Sequence, residues 1–167
     1  RKIRELLLDT NNADLRPLPE LLLYFASRAQ NIEEVVAPAL EAGKIVLIDR
    51  FTDATVAYQG YGRGLGVDVV QSVDRIACHG LKPDLTLLID IDPLVALPRA
   101  QERNSIHAHY ADRMEGQPVA FYERVRRGYL DLSHADPERI TLVDGSGTVD
   151  EVAERVATRV DQYFNAR

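Results

Sequence analysis

A carboxylate and a guanidinium stand side by side at Asp49-Arg50, directly after the apolar run Ile45-Val46-Leu47-Ile48. Such a run reads as a buried strand, and an acid–base pair at its mouth offers two kinds of chemistry. A guanidinium can grip phosphate oxygens through a planar fork. A carboxylate can hold Mg²⁺ directly or through water, because hard cations take oxygen ligands. The next residues add an aromatic ring at Tyr58, an amide at Gln59 and a loop rich in glycine, with Gly60, Gly62, Gly64 and Gly66. A ring can lie flat on a base, and an amide can read its edge. The set is suited to a nucleotide, with Arg50 as phosphate ligand and Asp49 as metal ligand. A surface ion pair and a strand-end cap are the plainer roles for the same two residues.

Other polar side chains are less distinctive. Arg28 lies inside the pattern Leu22-Leu23-Tyr24-Phe25-Ala26-Ser27-Arg28, where an arginine is ordinarily solvated. Arg99 and Arg103 fall one helical turn apart and so share a face. They lead into the polar stretch Asn104 to Glu115, which contains His107, His109 and Arg113, has no clean period and reads as a mobile loop. His107 and His109, with Glu102 nearby, form only a weak metal motif, since no third ligand has suitable spacing. Asp144-Gly145-Ser146-Gly147-Thr148 reads first as a turn and helix cap.

These groups need elements to hold them. Leu18, Leu21, Leu22, Phe25, Ala29, Ile32 and Val36 recur at helical spacing, with Pro17 and Pro19 at a tolerant helix start. Pro38 should break or kink that helix, and Gly43 should close it. Residues 45–48 predict one strand, 85–91 a second and Ile140-Thr141-Leu142-Val143 a third. Helices are expected over residues 3–9, 55–59, 68–78, from Pro93 toward Arg103, and from Val119 to Leu132. Thr148-Val149-Asp150-Glu151 matches a capping box before a terminal helix. Alternating strands and helices predict an α/β chain, a parallel sheet with helices on both faces in three layers. Ligands of such sheets bind beyond the carboxyl ends of the strands. Asp49-Arg50, Asp90-Ile91-Asp92 and Asp144 to Gly147 should therefore share one rim.

The chain of 167 residues is long enough for one domain. Its net charge of −6 argues against a general nucleic-acid-binding surface. No apolar run approaches the ~20 residues that span a bilayer. The single Cys78 excludes an internal disulfide. A cytoplasmic location is the expectation.

Asp49 to Gly64, Tyr24 to Gln30 and Arg99 to Glu115 together resemble bacterial thymidylate kinases, and the resemblance runs through essentially the whole chain. It implies a P-loop nucleoside-monophosphate-kinase-like fold and transfer of the ATP γ-phosphoryl group to dTMP. It further implies Mg²⁺, a homodimer, and no nucleic-acid or membrane partner. Arg50 would hold the acceptor phosphate and Asp49 the metal. Tyr24, Arg28, Thr55, Tyr58 and Gln59 would line the nucleoside pocket. Residues 104–115 would form a lid, Arg99, Arg103 and Arg113 would close with it over the phosphates, and Asp144 would lie near adenine. The family often carries serine where Ala54 stands, and a basic residue where Gln101 stands. The motif G-x-x-x-x-G-K-[ST] does not occur in these 167 residues. The resemblance implies that this loop and the first two strands would precede Arg1, and that these residues alone would be inactive. A kinase for another nucleotide or nucleoside, or a non-catalytic nucleotide-binding remnant, are the alternative readings.

Overall fold

A computed structural model describes residues 2–12, 14–106 and 116–166. Eight α-helices and two strands are found among them, here α1 (Lys2–Leu8), α2 (Pro17–Asn31), α3 (Ala37–Glu41), α4 (Thr52–Thr55), α5 (Val67–Ala77), β1 (Thr86–Asp90), α6 (Pro93–Ile106), α7 (Val119–Ala135), β2 (Ile140–Asp144) and α8 (Val149–Asn165). The strands pair in parallel, with Thr86 opposite Ile140 and Asp90 opposite Asp144. Helix α7 packs on both strands and α8 on β2.

The helices begin and end where local chemistry allows. Pro17 lies in the first turn of α2, where its missing N–H has no partner to lose. Pro38 cannot donate to the carbonyl four residues back. In the turn before it, Ile32–Val36 widens into a π-helical turn, and the Ala37 N–H reaches the Ile32 carbonyl. Gly43, at φ +69°, then ends the run. The capping box at Thr148 is formed on both sides, with Thr148 N–H on Glu151 at 2.7 Å and Glu151 N–H on Thr148 at 3.3 Å.

Three expectations are corrected. Residues 45–48 are not a strand, and no ladder partner is present for them among the described residues. Val46 and Ile48 pack on the core, while Ile45 is 80% and Leu47 96% exposed. Alternating burial makes one face apolar, but a strand also needs a neighbour for its N–H and C=O groups. The described residues thus hold a two-stranded sheet, with helices predominating. The expected loop starts later than Asn104, because α6 continues through Ile106; positions 107–115, with His107, His109 and Arg113, lie outside the described residues. The short helix expected at 55–59 is α4 followed by a π-helical segment, Val56–Gly62.

That π segment is wedged between α5 and α7. The principal core joins Leu21, Phe25, Ile32, Val36, Phe51, Val56, Val70 and Cys78. A second cluster, Ala57, Phe121 and Val125, fixes the π segment to α7. Each large apolar side chain buried here contributes roughly 1.5–3 kcal/mol. The cores hold residues 51–63 between α2 and α7, so the groups predicted to do chemistry stand on packed elements.

Candidate functional site

Helix α2 presents Tyr24 and Arg28 one turn apart, and the 49–63 segment faces them. Arg28 bridges the two. Its Nη2 donates to the Phe51 carbonyl at 3.2 Å and to Thr55 Oγ1 at 2.7 Å. Its guanidinium carbon lies 4.9 Å from the Phe25 ring centre and 5.3 Å from that of Phe51. Burial pulls the Arg28 pKa below its ordinary value, while Cys78, Asp74 and Asp53 partly restore it. The charge survives, because arginine starts so far above neutral pH. Arg28 Nη1 is buried with no hydrogen-bond partner among the described residues. A buried unpaired donor is costly, so the contacts that hold Arg28 here must offset that cost.

Arg50 is held differently. Its backbone lies in the left-handed region at φ +63°, a conformation that costs an L-residue about 1–2 kcal/mol. Its guanidinium carbon is 5.1 Å from the Tyr58 ring centre, a cation–π distance. Among the described residues it makes no ion pair closer than 4.0 Å and no side-chain hydrogen bond. The residue is open to solvent, yet its surroundings remove enough water to pull its pKa down. Tyr58, Tyr129, Asp49 and Tyr24 outweigh that pull and leave it raised. Burial pushes the Tyr129 phenol well above its usual value, so it stays neutral. Tyr58 meets Phe121 and Tyr129 edge-on, at 6.0 and 6.4 Å between ring centres. A guanidinium bordered by phenols, with its fork unused, can take a phosphate dianion. Asp49 is exposed beside it.

The structure therefore brings Tyr24, Arg28, Asp49, Arg50, Thr55 and Tyr58 together where α2 faces residues 49–58. Thr55 is buried, and its hydroxyl oxygen accepts from Arg28. Gln59 is placed elsewhere, 2% exposed, with its amide donating to Glu20 at 2.9 Å. Arg99 is exposed on α6, 3.5 Å from the Gly147 carbonyl. The backbone of Arg103 lies in α6, and its side chain lies outside the described residues. Asp144 accepts from the Ser146 N–H and hydroxyl, both at 2.9 Å, which makes it a turn-former. Those bonds hold its carboxyl below the usual range. Asp90, opposite Asp144 on the strand rim, is gripped bidentately by Arg126 at 2.8 Å on both oxygens.

Several supporting groups were not legible as functional. Glu20 is fully buried in the first turn of α2 and accepts from Arg63 at 3.1 and 3.2 Å. Asp53 takes both arms of Arg139, at 2.7 and 3.0 Å, and the Thr86 hydroxyl at 3.0 Å. This ties α4 to the starts of both strands. Below Arg28, burial pushes the Cys78 thiol up to about 12, with Asp74 adding to the rise. Thr52 donates to that same Asp74 at 2.8 Å. The i, i+4, i+8 spacing of Glu20, Tyr24 and Arg28 is the one sequence signal that could have grouped part of this set.

Comparison with known proteins gives a consistent picture. A family model described as thymidylate kinase matches residues 1–156. The thymidylate kinase of Pelobacter propionicus is 48% identical over 162 residues, 96% of this chain and 74% of that protein. That of Syntrophotalea carbinolica is 48% identical over 165 residues, 98% of this chain and 76% of its own. That of Desulfovibrio desulfuricans is 45% identical, covering 100% of this chain and 78% of its own.

Proposed function

The chain belongs to the thymidylate kinase family, an enzyme class that transfers the ATP γ-phosphoryl group to dTMP to give dTDP and ADP, and we propose that its dTMP site is the groove between α2 and residues 49–63. The observation that carries this reading is Arg50, a guanidinium with no ion-pair partner among the described residues, flanked by Tyr24, Tyr58 and Tyr129. In this reading the Arg50 fork takes the acceptor phosphate. Arg28 and the rings of Tyr24 and Tyr58 border the nucleoside. Gln59 acts from behind the pocket wall, through its bond to Glu20.

Phosphoryl transfer asks a protein mainly for positioning and charge neutralisation. Asp49 suits a magnesium ion that keeps several waters and takes few protein ligands. When bound, Mg²⁺ would neutralise charge on the phosphates. Arg99, Arg103 and Arg113 would close on ATP from α6 and the segment after it, with Asp144 on the adenine side. The fold proposed for the whole enzyme is the three-layer parallel sheet of a P-loop nucleoside monophosphate kinase. A homodimer in the cytoplasm, with no nucleic-acid partner, completes the proposal. No described helix is long and apolar enough to cross a membrane.

The test is a coupled ADP-release assay of the whole enzyme with dTMP, dUMP, dCMP and thymidine, repeated for Arg50→Ala. The expected result is preference for dTMP and a loss in kcat/KM of about a hundredfold or more in the variant. Turnover of the variant at the unsubstituted rate would refute the placement of the phosphate. Preference for another acceptor would move the enzyme to a different nucleotide.

A further inference from the structure

We propose that Glu20 is a positioning residue for the dTMP pocket, holding Tyr58 in place through Gln59 and Arg63; the inference rests on the reading of the groove as the dTMP site. Glu20 is 0% exposed, although acidic residues are almost never fully buried unless paired. A helix start gains from a nearby acid, but an exposed one serves that purpose. Burying a carboxylate and a guanidinium costs desolvation, and apolar replacements of buried pairs are often neutral or stabilising. Stability alone therefore does not account for the Glu20–Arg63 pair.

Its geometry gives a better account. Glu20, Tyr24 and Arg28 form one stripe on α2. The two ends of the stripe grip the facing segment. At one end Arg28 holds the Phe51 carbonyl and Thr55. At the other, Glu20 accepts from Gln59 at 2.9 Å and from two Arg63 nitrogens at 3.1 and 3.2 Å. Tyr24 stands between the grips on one wall and Tyr58 on the other. Tyr58 is tied to the second grip twice over. Its neighbour Gln59 is fixed by Glu20, and its own carbonyl accepts the Arg63 N–H at 2.9 Å. Arg63 is braced in turn by Gln117 at 2.9 Å and by the Phe121 ring at 5.1 Å. The lock thus sets where the Tyr58 ring sits over Arg50.

The test compares Glu20→Gln and Gln59→Leu in the whole enzyme, by steady-state kinetics for each substrate and by calorimetric titration with dTMP. Glu20→Gln keeps the shape and removes the charge. The expected result is a rise of about tenfold or more in the KM and Kd for dTMP, with the KM for ATP changed by less than about twofold. Gln59→Leu leaves the buried ion pair intact and should give a smaller rise in the same direction. A purely structural lesion would instead lower kcat through lost active protein and leave both KM values alone, and that outcome overturns the proposal. If Glu20→Gln does not fold, an unchanged dTMP KM in Gln59→Leu overturns it equally. An unsubstituted enzyme that neither binds nor phosphorylates dTMP would remove the underlying reading and this inference with it.

Discussion

The groove side of the molecule and the sheet side are built to different standards of fit. Where the π segment meets α7 there is no room for an added side-chain atom. A methyl group on Gly62 would meet Phe121 and Val125 at 2.7–2.8 Å, and one on Gly128 would meet the Tyr61 ring at 2.7 Å. The sheet side has one comparably tight point, where a methyl on Gly145 would meet Ile89 at 2.8 Å, but α8 contributes no buried residue, Leu142 is 46% exposed and Ile89 50%. A cavity of about 690 Å³ opens there, lined by Leu142, Val143, Arg155 and Arg159 among others. Ladder bonds and a capping box hold that side, more than interlocked side chains do. Tight packing lies beside the tyrosines and arginines of the groove, where small displacements would matter most to a bound phosphate.

Three substitutions would sharpen or break this contrast. Phe121→Ala should have the largest effect, a loss of about 3–5 kcal/mol in urea unfolding with an unchanged slope. Gly128→Ala should follow, at about 1–3 kcal/mol, because the added methyl would meet Tyr61 Cδ2 and Cγ at 2.7 and 2.8 Å, so near that residue's backbone that the segment itself must shift. Val149→Ser on α8 should be smallest, within about 0.5 kcal/mol, since the side chain is 84% exposed. A Val149 effect equal to that of Phe121 would erase the difference between the two sides. A neutral Gly128→Ala would show that the seam between the π segment and α7 gives way more easily than its contacts suggest.

The sequence carried the helices well, because their apolar spacing, prolines and cap residues act over a few neighbours. Pro17, Gly43 and the Thr148–Glu151 box stand where that local chemistry puts them. It was less informative wherever a partner came from far along the chain. Residues 45–48 have the composition of a strand, but composition cannot supply the neighbour that makes one. Glu20 follows two prolines in a polar helix start and looks solvated; its partner lies 43 positions away. The amide of Gln59 suggests contact with a base, and nothing beside it in the chain shows its burial against Glu20. Tyr24, Arg28, Arg50 and Tyr58 were singled out by residue type and by resemblance to a known family. Their convergence on one groove needed the packing of α2 against residues 51–63.

The unusual backbone at Arg50 has a consequence for how this position can change. Glycine would relax the strained turn but carry no charge to meet a phosphate. On the proposed role, heat tolerance and turnover therefore favour different residues at one site. Descendants selected only for a higher melting point would drift toward losing the arginine, and those selected for nucleotide synthesis would keep a turn that folds less comfortably.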